Sequence, residues 1–217
     1  DHFIMLAKVC KEYGKPIFIS WNHEMNGDWY SYSEPFAKKH PELKSDWTAE
    51  KYKEFHRYVW KIFKEHGGDK VAFTFAACLV GRKYGDWDER QSWKAYYPGD
   101  AYVDWLAPSY YNEIDPATFD VLASETNKPI FPSEWGSTPV RYKWYSPKPY
   151  PGDRVWMSRT MNSWMHRYPN LKGSGYYQWE HSYAIQRDPG QLEVYKKALN
   201  DPMFIHGDPR PAAAGAD

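Results

Sequence analysis

Two short stretches of this chain carry the residue types that acid–base chemistry needs. Trp21 to Tyr30 reads W-N-H-E-M-N-G-D-W-Y and sets Glu24 among aromatics, with His23 and Asn26 beside it. Ser133-Glu134-Trp135-Gly136 sets a second glutamate next to a tryptophan. Cleavage of a glycosidic bond needs such a pair. One carboxyl protonates the leaving oxygen, and one carboxylate traps or stabilises an oxocarbenium-like transition state. The two must differ near neutral pH. Burial against apolar rings raises a carboxyl pKa, and hydrogen bonds to the charged form lower it. A single glutamate is usually a solvated surface residue, so the argument rests on the pair and its setting. The H-E-M triplet also invites a metalloprotease reading, but H-E-x-x-H needs a second histidine where Gly27 stands. His23 alone is more often a hydrogen-bonded structural residue than a ligand, so no metal site is expected.

The elements around these stretches must bring the glutamates together. Phe3, Leu6, Ala7 and Cys10 share a helical face, and Gly14 and Pro16 end that helix. Ile17 to Trp21 then reads as a buried strand. Thr48 can cap a long helix with an apolar face of Tyr52, Phe55, Val59, Ile62 and Phe63, closed by Gly67-Gly68. Further strands are expected at Val71 to Ala77, around Val103, Trp105 and Leu106, at Pro129 to Ser133, and at Gly173 to Trp179. Asp115-Pro116 opens a helix to about Glu125. Other helices are expected from Asp153 to Arg167 and from about Gln191 to Leu199. Strands alternate with helices five times without hairpin signals, which implies an α/β fold with a parallel sheet. Sites in parallel α/β sheets gather at the strand C-terminal ends, where Glu24 and Glu134 both fall.

Composition narrows the partners. The 217 residues hold 28 Lys+Arg and 28 Asp+Glu, and this balance argues against nucleic acid or an anionic membrane surface. No run is long and apolar enough for a membrane helix. Cys10 and Cys78 form no C-x-x-C motif, and whether they pair is left open. Aromatic residues make up 19% of the chain, with 12 Trp and 19 Tyr. At a mean hydropathy of -0.84 the chain cannot place them all in a core, so some should line a surface or groove. Flat rings suit the C–H faces of a pyranose, though each ring has a core role as its alternative.

At these residues the sequence resembles the family 26 glycoside hydrolases, which are retaining (β/α)8 barrels of TIM type. The family's H-E-M-N-G-x-W-Y segment stands unbroken as His23 to Tyr30. Tyr97 to Trp105 followed by Tyr111-Asn112 resembles the approach to barrel strand six, Ser133 to Gly136 the end of strand seven, and Tyr176 to Glu180 the end of strand eight. The resemblance implies Glu24 as general acid/base and Glu134 as nucleophile. It implies Tyr111 as the hydroxyl on the nucleophile, with His23, Trp29 and Trp179 around the sugar. His23 and Asn26, beside Glu24, could orient the acid or hold the sugar, and no cofactor is implied. In a retaining enzyme the two carboxyls lie about 5–5.5 Å apart. One departure stands out: Ser109 replaces an aspartate expected two residues before Tyr111.

The resemblance covers strands four to eight, so the first three β/α units are expected to be lacking. Residues 1–207 read as the catalytic barrel portion and 208–217 as a disordered Pro/Ala-rich tail or linker. Self-association or a partner segment would complete the barrel. The resemblance makes β-1,4-mannan the first substrate to consider, then mixed-linkage β-1,3-1,4-glucan, which Asp28 also suits, and β-1,3-xylan. The reading from another class is a non-catalytic carbohydrate-binding barrel fragment. Secretion or cell-surface display is inferred only from such substrates.

Overall fold

A computed structural model describes residues 1–79, 92–111, 116–137, 158, 160–161, 167–177, 185 and 189–202. The helices are α1 (His2–Tyr13), α2 (Glu34–Lys39), α3 (Ala49–His66), α4 (Trp93–Tyr96), α5 (Pro116–Ser124) and α6 (Pro189–Leu199). The strands are β1 (Ile17–Ser20), β2 (Val71–Phe75), β3 (Trp105–Leu106), β4 (Ser109–Tyr111) and β5 (Glu134–Gly136).

All strand pairings are parallel and follow chain order. β1 pairs with β2 and β2 with β3. β4 pairs with β5, and single bridges join Cys78 to Ser109, Leu106 to Ile130, Ile130 to Leu171 and Trp135 to Tyr176. Five neighbouring stretches therefore run side by side, as the alternating pattern implied. They have the order and direction of consecutive strands in a (β/α)8 barrel.

Helices cover one face of this sheet. The apolar side of α1 meets that of α3, and both pack on the outer residues of β1 and β2. Ala7, Cys10, Val59, Phe63, Val71 and Phe73 form one buried cluster there, flanked by Phe3, Ile17, Ile19 and Trp21. A second cluster joins Tyr52 and Phe75 to Leu106, Tyr110, Phe119, Ile130 and Trp135. On the opposite, inner face Phe18 stands half exposed, with Trp105 edge-on at 5.1 Å and Phe131 at 6.0 Å. Rings from β1, β3 and the stretch after Ile130 thus meet at one level, like the layered filling of a barrel interior.

Local chemistry explains the helix ends. Gly14 takes a φ of 66° and its N–H reaches the Cys10 carbonyl. The Thr48 hydroxyl accepts from the Lys51 N–H at 3.2 Å, and Gly67 closes α3 at φ 91°. The short helix α2 is absent from the sequence-based expectation. It follows from Ser33, whose hydroxyl accepts from the Phe36 N–H at 3.1 Å. The strand expected at Pro129 to Ser133 is corrected: Ile130 makes single bridges, and the paired strand is Glu134–Gly136. Glu134 is therefore within a strand rather than after it. Most of the helix expected from Asp153 to Arg167, all of Trp179 and the tail from Asp208 lie outside the described residues.

Thr48→Ala should cost about 1 kcal/mol of stability by loss of the cap, while Thr48→Ser should cost less. Urea unfolding of the two variants checks this, and equal loss in both would assign the effect to the methyl group instead.

Candidate active site

The segment after β1 is fixed by backbone bonds before any side chain reaches into the cleft. Glu24 N–H donates to the Ala76 carbonyl at 2.6 Å, and Gly27 N–H donates to the Glu24 carbonyl at 2.9 Å. Both ends of the Asn26 amide are used on one residue. Its Nδ2 donates to the Cys78 carbonyl at 2.8 Å, and its Oδ1 accepts from the Cys78 N–H at 2.9 Å. Asn26 is 0% exposed, and its amide ties the loop that carries Glu24 to the chain following β2. Met25 is fully buried and anchors the loop in the core. Glu24 itself is held at φ 54°, in the left-handed region where a non-glycine residue is strained. That conformation is maintained by the bonds on either side of it.

Three further contacts shape this loop. A Cβ on Gly27 would overlap the Trp29 indole, so only glycine lets that ring fold back over the loop. The indole Nε1–H then donates to Glu24 Oε2 at 2.8 Å. His23 Nε2 and the Tyr30 hydroxyl are 2.9 Å apart, and Tyr32 donates to the His23 carbonyl at 2.9 Å. Tyr30 and Tyr32 stack at 5.0 Å. Asp28, by contrast, points outward to an exposed ion pair with Lys39 at 2.8 Å.

Glu134 reaches the same face by a register step. Leu106 to Ser109 is a step of three residues, whereas the paired step from Ile130 to Glu134 is four. The extra residue acts as a bulge and reverses which side chains face inward. Leu106 and Ile130 point outward to the core, while Ser109 and Glu134 pair on the inner face. The Ser133 hydroxyl donates to the Ala107 carbonyl at 2.7 Å within this step. Gly175 is needed opposite, since a Cβ there would stand 2.8 Å from the Ser133 carbonyl oxygen. Trp135 faces outward, fully buried against Tyr176 and Tyr195.

The two carboxyls have different surroundings. Glu24 is 8% exposed, and its pKa is raised above the ordinary value. Desolvation is the main cause. A hydrogen bond with Ser109 opposes it, the charge of Glu134 adds to it, and the Trp29 bond and His23 oppose it. Glu134 is half-buried and accepts from the Tyr111 hydroxyl at 2.7 Å. Tyr177 stands edge-on to Tyr111 at 6.0 Å. Trp29 and Tyr177 are 40% and 38% exposed, so each keeps ring surface available to a ligand.

The structure thus gathers Glu24, His23, Trp29, Glu134 and Tyr111 at one end of the parallel sheet. Tyr30, Tyr32, Tyr177 and Ser109 join them without having been singled out as site residues. Tyr30 was visible as the last residue of the His23 to Tyr30 segment, and Ser109 as a departure from the expected pattern. Among the described residues, no cluster of three or more His, Cys, Asp or Glu could hold a metal ion. Cys10 and Cys78 are both buried and are not joined by a disulfide. No helix among those residues is long and apolar enough to cross a membrane.

Parallel strands in chain order, with outer helices and two carboxyls at one sheet end, define a portion of a (β/α)8 barrel. No protein-family model matches the chain. It is similar to Endoglucanase H of Acetivibrio thermocellus, 25% identical over 89% of this chain and 21% of that protein. It is also similar to the β-1,3-xylanase TXYA of a Vibrio species, 23% identical over 94% of this chain and 48% of that one. Among solved structures, a Bacillus subtilis mannanase superposes with a TM-score of 0.58 at 20% identity, covering 90% of this chain and 52% of its own. A modular endo-β-1,4-mannanase of glycoside hydrolase family 26 from Cellulomonas fimi gives 0.62 at 16% identity, covering 94% and 46%. The resemblance to family 26 and the barrel class read from the sequence are borne out. The chain spans a fifth to a half of the curated relatives it matches, and about half of these solved chains.

The raised pKa of Glu24 has a signed consequence for stability. An acid whose folded pKa exceeds its unfolded value opposes folding increasingly as pH rises through the unfolded value, and this levels off above the folded one. Glu24→Gln does not titrate. Its melting temperature relative to the parent should therefore rise between about pH 4 and about pH 7. Melting curves at both ends check this, and a relative fall would contradict the assigned direction.

Proposed function

We propose that this chain is the catalytic portion of an endo-acting, retaining β-glycanase. The observation that carries the reading is the unlike environment of two carboxyls at one end of the parallel sheet. Glu24 is buried with a raised pKa, which suits an acid that must hold its proton near neutrality. Glu134 accepts a hydrogen bond from the Tyr111 hydroxyl, which aims it.

The reaction then runs in two displacements. Glu134 attacks the anomeric carbon as the glycosidic bond breaks, and Glu24 gives its proton to the departing oxygen. This forms a covalent glycosyl–Glu134 ester and leaves Glu24 ionised. Glu24 next removes a proton from water, whose oxygen attacks the same carbon and releases Glu134. Both residues return to their starting states. Trp29 and Tyr177 offer ring faces to the sugar, and the polar edges of His23 and Tyr30 stand beside the acid.

β-1,4-Mannan is the proposed substrate, supported by the mannanases among the structural neighbours. Mixed-linkage β-glucan is second, supported by the similarity to an endoglucanase, and β-1,3-xylan third. Such polymers lie outside the cell, so the protein is proposed to be secreted or cell-surface. The inner layer of Phe18, Trp105 and Phe131 is a surface on which further barrel strands or a second copy would pack. A non-catalytic glycan binder is the reading from a different class, and it gives no account of two carboxyls so differently held.

Reducing-sugar release from the three polymers, with Glu134→Ala as control, tests the reading. Release from one polymer should fall to background in the variant. Glu24→Ala should flatten the basic limb of the pH–rate profile and spare substrates with good leaving groups. Binding of polymer with no release by the parent chain would favour the binder instead.

A further inference from the structure

The strand between the two carboxyls carries more than the tyrosine implied by the resemblance. β4 is only Ser109–Tyr111, and residues two apart on a strand face the same side. Ser109 and Tyr111 therefore both point inward, with Tyr110 buried on the outer side. The register agrees: Ser109 pairs with Glu134 on one side and with Cys78 on the other. Cys78 is the residue held by the Asn26 amide, two positions along from Glu24. Ser109 thus lies between the chain that carries the acid and the strand that carries the nucleophile.

Its backbone is committed elsewhere. The Ser109 N–H donates to the Ala77 carbonyl at 3.0 Å, and its carbonyl accepts from the Leu79 N–H at 3.1 Å. The residue is 1% exposed, so its hydroxyl is shielded from solvent and must be satisfied within the protein. The carboxyl it faces across the sheet end is that of Glu24, whose charged form it favours.

We propose that Ser109 is the positioning residue of the acid/base, its hydroxyl donating to Glu24 as the Tyr111 hydroxyl donates to Glu134. One short strand then presents one hydroxyl to each carboxyl. The inference rests on the reading of Glu24 as acid/base. Its consequence concerns the second displacement, in which Glu24 must be ionised to take a proton from water. Trp29 holds one carboxylate oxygen from the solvent side, and Ser109 supplies a buried donor from the sheet. A neutral hydroxyl also matters by what it is not. An aspartate at this position would set a third negative charge against Glu24 and Glu134 and oppose ionisation of Glu24.

Other groups face Glu24 as well. Glu134 approaches from β5, and His23, Tyr30 and Tyr32 approach from its own loop. Of these, Glu134 opposes its ionisation and His23 favours it. A substitution at Ser109 leaves all four in place, so its effect can be separated from theirs.

The test compares the parent with Ser109→Ala and Ser109→Thr. The side-chain carboxyl of Glu24, assigned through Glu24→Gln, is followed by carbon NMR across a pH titration. Loss of a donor to a charged group should move its midpoint upward by about one unit in Ser109→Ala. Ser109→Thr, which restores the hydroxyl, should return most of that shift. In the pH profile of kcat/KM the basic limb should move in the same direction, with KM little changed. A midpoint that stays put in Ser109→Ala, or shifts alike in both variants, overturns the proposal. The NMR readout needs no turnover. If the parent cleaves no glycan while the midpoint still follows the hydroxyl, the glycosidase reading fails and the Ser109–Glu24 contact stands.

Discussion

Two carboxyls brought to one cleft repel each other, and left alone they would share whatever protons were available. A double displacement needs them unlike, one holding its proton and one without it. Glu24 and Glu134 stand in unlike surroundings. Burial makes the charged form of Glu24 costly, while Tyr111 supplies a donor to Glu134. The parallel sheet is what makes the arrangement possible, because it gathers the ends of distant strands on one side.

Backbone geometry does the aiming. Glu24 sits in the left-handed region, a strained conformation that survives because the Ala76 carbonyl and the Asn26–Cys78 pair clamp its loop. Strain of this kind gathers at functional sites when surrounding structure over-determines it. Glu134 is aimed differently, by one extra residue in the step from Ile130. Were the step of four to follow plain strand alternation, with no bulge to absorb the extra residue, Glu134 would turn toward the core, where Trp135 now packs. Neither device involves a side chain that performs chemistry, yet each fixes where a carboxyl can stand.

Much of this was legible in the sequence. Five parallel stretches in chain order followed from apolar runs alternating with amphipathic helices, although the fourth pairs as a strand only from Glu134 and the fifth makes only the single bridges of Leu171 and Tyr176. The pair Glu24 and Glu134 followed from their place at the ends of those runs. The caps lie where the Thr48 hydroxyl and the conformational freedom of Gly67 predict. What stayed hidden depends on register and burial. A bulge before Glu134 has no local signature beyond Ser133 and Pro132, and it becomes visible only when two strands are counted against each other. Asn26 stands in the same segment as Glu24, and the sequence leaves open whether it orients that carboxyl or holds the sugar; its lock on Cys78 is seen only in the structure. Ser109 looks like the loss of a substrate residue, because a sequence does not show that its hydroxyl and that of Tyr111 share a face.

The assignment of the nucleophile is the point on which the account turns, and covalent trapping tests it most directly. A 2-fluoro β-glycoside with an activated leaving group slows the second displacement enough for mass spectrometry to locate the ester. The account predicts one adduct, on the peptide carrying Glu134 and lost in Glu134→Ala. An adduct on Glu24, or turnover of the corresponding unfluorinated glycoside without any trapped ester, would contradict it.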